Sequence, residues 1–122
     1  MRFLSFIRSS ESFRNSGPPA ALMEAMGPFI EKWKKEGMLV DTGGLLPSKD
    51  GVRIRSKDGK LSITDGPFAE TKEVIGGWAI LEAPNKDAAM RLAKEFMELH
   101  VKHWPEFECE SELRPMFDMP PR

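Results

Sequence analysis

The chain is poor in several residue types that would tie it to a particular compartment or chemistry. Tyrosine is absent, and the 122 residues include one cysteine. A lone Cys109 cannot form an internal disulfide, which is typical of a protein from a reducing compartment. No stretch approaches the roughly eighteen apolar residues that a membrane-spanning helix requires. We therefore expect a soluble, cytoplasmic protein.

An excess of one charge is also missing. Eighteen basic residues stand against nineteen acidic ones, the formal net charge is -1, and both signs are interspersed along the chain. This balance argues against nucleic acid or an anionic membrane as a partner. Hydrophobic residues make up 40% of the chain, enough for a globular fold, and the length predicts one domain over residues 1–122.

Motifs of common enzyme classes are lacking as well. The chain has no glycine-rich phosphate loop, no Gly-x-Ser-x-Gly elbow and no Cys-x-x-Cys pair. Nucleotide-dependent transfer, serine hydrolysis and thiol redox chemistry are therefore disfavoured. The start, Met1 to Arg8, has an apolar run too short for a signal peptide and predicts a β-strand instead.

Apolar periodicity predicts the elements of an α+β fold. Alternation over residues 3–7 indicates a first strand with apolar residues on both faces, Phe3, Ser5 and Ile7 against Leu4 and Phe6. Leu22 to Trp33 follow a helical period, and Pro28 predicts a kink or a restart of that helix near Met26.

The second half of the chain continues the pattern. Two alternating runs, 52–55 and 61–64, flank Asp58-Gly59 and predict a hairpin. A strand at 77–82, a helix capped by Asn85 and a strand at 108–114 follow. This order predicts a ferredoxin-like split βαβ fold, an antiparallel sheet with two helices on one face. The other face then needs a cover, which a second subunit would supply.

The most distinctive motif is Asp65-Gly66-Pro67-Phe68, which continues to Gly76-Gly77-Trp78. With Gly44-Leu45-Leu46-Pro47, Glu82 and Glu112-Leu113-Arg114-Pro115, it resembles the DGPF branch of the YCII-related family over nearly the whole chain. The resemblance implies a dimeric α+β barrel, a homodimer in which two ferredoxin-like sheets face each other and enclose pockets.

About activity the resemblance implies less. Better-known YCII proteins have been suggested to be enzymes through a His-Asp pair, yet no histidine precedes His100 in this chain, so that pair has no histidine in the expected half. The resemblance also implies a link to extracytoplasmic-function sigma factors, which are often encoded beside members of the family.

Asp65 is the predicted catalytic residue. It follows a β-run and precedes Gly66-Pro67, so its carboxylate could act as an acid or base at a strand end, or simply accept backbone hydrogen bonds in a turn. Glu70, Lys72 and Glu73 could orient a ligand or form a solvated loop. Arg114 could bind a ligand carboxylate or pair with a neighbouring acidic side chain.

No metal and no cofactor are predicted. His100 and His103 lie three apart near the end of a predicted helix, but without a fixed carboxylate spacing such a pair is a weak metal signal. Acidic neighbours are expected to raise the pKa of the Cys109 thiol and make a nucleophilic role improbable.

Three functions remain open. One is a cofactor-independent enzyme that acts on a small molecule, with Asp65 as acid or base and Arg114 or Lys72 as anchor. A second is a non-catalytic ligand-binding or regulatory dimer, for example in a sigma-factor-linked circuit. A third, an interaction module only, would have no pocket and an exposed apolar patch beyond the dimer surface.

Overall fold

A computed structural model describes residues 1–11, 17–68 and 73–117. Within them lie six strands and two long helices. In chain order these are β1 (Arg2–Ser9), α1 (Ala20–Lys35), β2 (Leu39–Gly44), a short 3-10 turn (Ser48–Asp50), β3 (Val52–Lys57), β4 (Lys60–Asp65), β5 (Val74–Glu82), α2 (Lys86–His103) and β6 (Cys109–Pro115).

The main sheet has four strands in the order β2-β5-β1-β6, with every neighbouring pair antiparallel. Both helices pack on one side of it. The order is that of a ferredoxin-like fold, so the predicted fold class is confirmed. One assignment is corrected. The sequence prediction missed β2, which follows α1 in the chain and forms an edge of the main sheet. The predicted hairpin, β3 and β4, forms a separate two-stranded sheet.

The strand β1 alternates between the two faces of the main sheet, as its sequence predicts. Phe3, Ser5, Ile7 and Ser9 are buried on the side of the helices. Leu4, Phe6 and Arg8 point to the opposite side and are half-buried. We call this second side the helix-free face.

The helix α1 runs without a break through Pro28, so the restart predicted near Met26 does not occur. Proline removes one backbone hydrogen bond, but the apolar residues of the helix still pack on the core. The predicted cap of α2 is present, because Oδ1 of Asn85 accepts a hydrogen bond from the backbone N–H of Ala88 at 2.9 Å. Such a cap satisfies one of the free N–H groups of the first turn.

The β3–β4 hairpin also forms as its sequence predicts. Its turn residues, Asp58 and Gly59, both have positive φ, 53° and 75°, as a two-residue hairpin turn of the primed type requires. One side of the hairpin is apolar and open to solvent, with exposed side chains at Val52, Ile54, Leu61 and Ile63.

The core between sheet and helices consists of two clusters. The first contains Phe3, Leu81 and Leu92, with further residues of α1 packed against it. The second contains Ile7, Leu22, Trp104 and Phe107. Along β1 the clusters are separated by Ser5, a small residue between two large ones.

Candidate functional site

A cavity of about 390 Å³ lies between the helices and the sheet, among residues of both core clusters. Its volume falls within the range of small-molecule sites. The wall is mostly apolar and includes Leu22, Met26, Phe29, Ile30, Leu81, Leu92, Phe96, Trp104 and Phe107. We call this space the sheet–helix cavity.

Small residues on the sheet leave this space unfilled. Ser5 of β1 pairs with Ala79 of β5, which in turn pairs with Thr42 of β2. One step along the sheet, Gly44 and Gly77 pair with each other. Because side chains alternate, all five lie on the side of the helices. Two adjacent glycines supply no side chain to that side.

The two glycines have room for a side chain. A Cβ on Gly77 would meet no atom closer than 3.5 Å, and one on Gly44 none closer than 3.9 Å. On the helix-free face Gly43 differs, since a Cβ there would lie 3.0 Å from the ring of Trp78. Gly44 and Gly77 therefore keep space open in the cavity, whereas Gly43 accommodates an indole.

Few polar side chains reach the cavity, and most of them are already hydrogen-bonded. The hydroxyl of Ser5 lies 3.4 Å from that of Ser111. Thr42 donates from Oγ1 to the carbonyl of Trp78 at 2.8 Å. His100, on the last turns of α2, has Nδ1 3.0 Å from the carbonyl oxygen of Phe96.

His100 is the one ionisable residue among the described residues that line the cavity. Its side chain is 7% exposed and lies edge-on to the ring of Phe96, with centroids 4.8 Å apart. Burial lowers the pKa of His100 below its ordinary value, and the hydrogen bond to Phe96 opposes this in part. Charging the imidazole in such surroundings is unfavourable, so the neutral form is favoured at neutral pH.

Two of the predicted ligand-binding residues lie in one ion-pair cluster at the edge of the sheet. Arg8 is 3.7 Å from Glu73, 3.1 Å from Glu110 and 3.3 Å from Glu112, and Arg114 is 3.9 Å from Glu112. Arg8 and Glu73 also line a shallow, more polar depression of about 320 Å³. The guanidinium of Arg8 is surrounded by carboxylates, which leaves little net positive charge to attract an anion.

Asp65 lies apart from both of these regions. It is the last residue of β4, opposite Val52, and it is exposed. It does not line the sheet–helix cavity or the shallow depression. Within the described ranges no hydrogen bond reaches its carboxylate, so the structure brings Asp65 together with neither Glu73 nor Arg114. Glu70 and Lys72 lie outside the described residues.

The rest of the Asp65–Phe68 motif has a clear structural role. Gly66 donates its N–H to the carbonyl of Gly51 at 2.9 Å, and a Cβ on Gly66 would lie 1.6 Å from the carbonyl oxygen of Ser48. Only glycine allows this close approach. Phe68 donates its N–H to the hydroxyl of Ser48 at 3.2 Å. The motif therefore fastens the end of the hairpin to the 3-10 turn.

Sequence analysis missed a carboxylate in this junction. Glu11 accepts hydrogen bonds from both the backbone N–H and the hydroxyl of Ser48. Glu11 and Ser48 are 37 residues apart in the chain. The sequence holds no pattern that would have paired them.

The remaining candidates have structural environments. Burial raises the pKa of the Cys109 thiol above its ordinary value, so the predicted direction is confirmed, but the cause is burial and not the acidic neighbours. In the three described ranges no group of three or more His, Cys, Asp or Glu side chains could hold a metal ion. No helix of the described chain is long and apolar enough to cross a membrane.

The sheet order and the two helices on one face define the chain as a ferredoxin-like α+β protein. The model of the YCII-related domain matches residues 1–98, and the chain belongs to the YCII-related family. An uncharacterised protein of Rhizobium meliloti (strain 1021) is 28% identical over 74 residues, which are 61% of this chain and 60% of that protein. The similarity thus spans about three fifths of the length of this relative.

Proposed function

We propose that the protein binds a small, largely apolar molecule in the sheet–helix cavity. The observation that carries this proposal is the cavity of about 390 Å³ that two paired glycines keep open inside an otherwise apolar core. A void of this size forfeits packing contacts that larger side chains would make. A ligand that fills the space would restore those contacts.

Filling the cavity from the sheet tests this proposal. Gly77→Val would place a branched side chain on the cavity side of β5, where its Cβ would meet no atom closer than 3.5 Å, and valine suits a strand. We expect the wild type to enhance the fluorescence of a neutral apolar dye, N-phenylnaphthylamine, and Gly77→Val to weaken binding of the dye about tenfold or more. Failure of the folded wild type to bind the dye and a set of small aromatic compounds would overturn the proposal.

The matched control for this experiment is Thr64→Val. Thr64 lies exposed on the hairpin and does not line the cavity. This variant should bind the dye as the wild type does. If both variants weakened binding equally, the dye would be held outside the cavity.

We further propose that the chain forms a homodimer through the helix-free face and belongs to the DGPF branch. The motif at Asp65–Phe68 supports the branch assignment. The pairing of β1 with β5 places Leu4 beside Ile80 and Phe6 beside Trp78, a continuous apolar strip that a second copy would bury. The ion-pair cluster at the edge offers both signs of charge, so two copies related by a two-fold axis can match charges.

The oligomeric state tests the homodimer. We expect light scattering to give the mass of a dimer for the wild type at micromolar concentration. Phe6→Lys should give a folded monomer or fail to fold, because an unpaired charge in the interface is costly. Val101→Lys, at an exposed position of α2, should remain a dimer. A folded wild-type monomer at this concentration would contradict the proposal.

Catalysis is a second candidate function. In it Asp65 acts as acid or base without a cofactor, and Glu70, Lys72, Glu73 and Arg114 are the candidates to orient the substrate. Because Glu73 and Arg114 are not brought together with Asp65 in one chain, a second copy would have to supply these two. The place of Asp65 at the end of β4, within the Asp65–Phe68 motif, supports this role. Within one chain its carboxylate is exposed and lines neither the sheet–helix cavity nor the shallow depression. A partner subunit would have to enclose it. The non-catalytic alternative is a cytoplasmic ligand sensor, for example in a sigma-factor-linked circuit.

A further inference from the structure

The ring nitrogens of His100 have different surroundings. Nδ1 lies 3.0 Å from the carbonyl oxygen of Phe96, and a carbonyl oxygen only accepts hydrogen bonds. Nδ1 therefore carries the proton. In the neutral ring Nε2 is then an acceptor with a free lone pair.

No described residue donates a hydrogen bond to Nε2. The rings around the imidazole are those of Phe96, with its centroid 4.8 Å away, and Phe107 at 6.1 Å. Trp104 stacks on Phe107 with centroids 4.1 Å apart. The hydroxyls of Ser5 and Thr42, elsewhere on the wall, already have partners. Nε2 is not among the buried side-chain atoms that lack a partner, so it is accessible. His100 lines an open cavity, and a ligand there can donate a hydrogen bond to this acceptor.

We infer that the ligand of the sheet–helix cavity is a neutral, flat, apolar molecule with one hydroxyl group, such as a phenol, and that this hydroxyl donates to Nε2 of His100. This inference rests on the proposed binding function and specifies its ligand class. The aromatic side chains of the wall suit a flat apolar body. A carboxylate or phosphate does not fit, because none of the described lining residues carries a positive side chain.

A matched pair of ligands tests the inference. β-Naphthol and β-methylnaphthalene have nearly the same shape and differ in a hydroxyl against a methyl group. Their dissociation constants would be measured by ligand-observed NMR for the wild type and for His100→Phe, which keeps an aromatic ring and removes the acceptor. The cost of removing each ligand from water is the same whether it binds to the wild type or to His100→Phe. The change in the ratio of the constants therefore isolates the contact with His100.

We expect the preference for β-naphthol over β-methylnaphthalene to fall about tenfold in His100→Phe, as for loss of one hydrogen bond. His103→Phe changes a half-buried neighbour that does not line the cavity, and it should keep the wild-type ratio. If both ligands bound and the ratio were the same in wild type and His100→Phe, the inference would fail while the binding function stood. If neither ligand bound the wild type, the inference and the proposed binding function would both fail.

A second measurement covers the case in which His100→Phe does not fold. In the wild type, the nitrogen chemical shifts of the His100 ring report which nitrogen carries the proton. Without ligand, Nδ1 should be the protonated one. β-Naphthol should then shift the Nε2 resonance, and β-methylnaphthalene should not. Equal shifts with both ligands, or a proton on Nε2 in the free protein, would overturn the inference.

Discussion

The two faces of the main sheet are built from the same strands but have different surroundings. Towards the helices, Phe3 and Leu81 are fully buried, and residues of both core clusters line the sheet–helix cavity. On the helix-free face, Phe6 and Trp78 are half-buried, and no described helix covers them. Helices of the same chain pack on the first face, whereas no helix of the described residues covers the apolar side chains of the second.

This difference shows that an apolar residue on a strand can serve either of two purposes. Alternation along β1 sends successive side chains to opposite faces, so one strand contributes both to the core and to the surface proposed to bind a second copy. In the core the small residues are the informative ones, because they create the cavity. On the helix-free face the large residues are informative, because they leave apolar area exposed.

The largest expected effect comes from truncating neighbouring residues of β1 that face opposite sides. Phe3→Ala should lower the free energy of unfolding by about 3–5 kcal/mol, since a fully buried phenylalanine leaves a cavity. Urea denaturation would measure this. The loss should not depend on protein concentration if the protein is diluted only within the range in which it remains a dimer.

Phe6→Ala is the matched variant on the helix-free face. If a second copy covers this face, its destabilisation should grow as the protein is diluted, because dissociation exposes the site. Suppose instead that Phe6→Ala lowers the free energy of unfolding as much as Phe3→Ala does, without any dependence on protein concentration. That result would contradict the difference between the two faces of the sheet. It would mean that Phe6 is buried within one chain.

The sequence was sufficient to predict the elements with strong local signals. The alternation of β1, the Asp58-Gly59 turn and the Asn85 cap each depend on neighbouring residues, and each is present. The strand β2 was missed because Asp41 and two glycines give Leu39–Gly44 a poor strand signal. Its pairing with β5 stabilises it instead, a long-range contact that the local sequence does not reveal.

The cavity could not be predicted for the same reason. Gly43-Gly44 and Gly76-Gly77 are visible in the sequence, but the fact that Gly44 pairs with Gly77 emerges only when β2 and β5 are aligned. The environment of His100 likewise depends on packing. Its place three residues from His103 near a helix end gave only a weak metal signal, whereas the fold places His100 in an aromatic wall.

A smaller effect is expected from pH, and it would sharpen the contrast between the buried and the open regions. The folded state holds the pKa of His100 below its ordinary value through burial. Above about pH 6.5, the ordinary pKa of histidine, His100 is neutral in the folded and in the unfolded state. Its contribution to the free energy of unfolding is then fully present. As the pH falls below this value, the unfolded chain takes up the proton first, so stability is lost.

Urea denaturation at pH 7 and pH 5 would measure this effect. His100→Phe should lose less stability between these two pH values than the wild type does. His103→Phe, which leaves His100 in place, should keep the wild-type dependence. An unchanged pH dependence in His100→Phe would show that folding does not lower the pKa of His100, contrary to its apolar surroundings.

The smallest effect on stability is expected at Asp65, on the open side of the molecule. Its carboxylate is exposed and without a hydrogen bond in the described chain, so Asp65→Asn should change the free energy of unfolding by no more than about 0.5 kcal/mol. Gly66, next to it, is in tight contact with Ser48. The fold therefore depends on the glycine of this motif and not on the acid. A functional reason for the acid would appear in another measurement.

That measurement is the activity of Asp65→Asn on any substrate found for the wild type. Asparagine keeps the shape of aspartate but cannot take up a proton, so a role as acid or base predicts a loss of about 100-fold or more with the fold intact. Arg55→Gln, at an exposed position of the same hairpin, is the control for a general change of charge. Full activity in Asp65→Asn would end the catalytic assignment. The acid or base of that reaction would then have to be another group of the molecule.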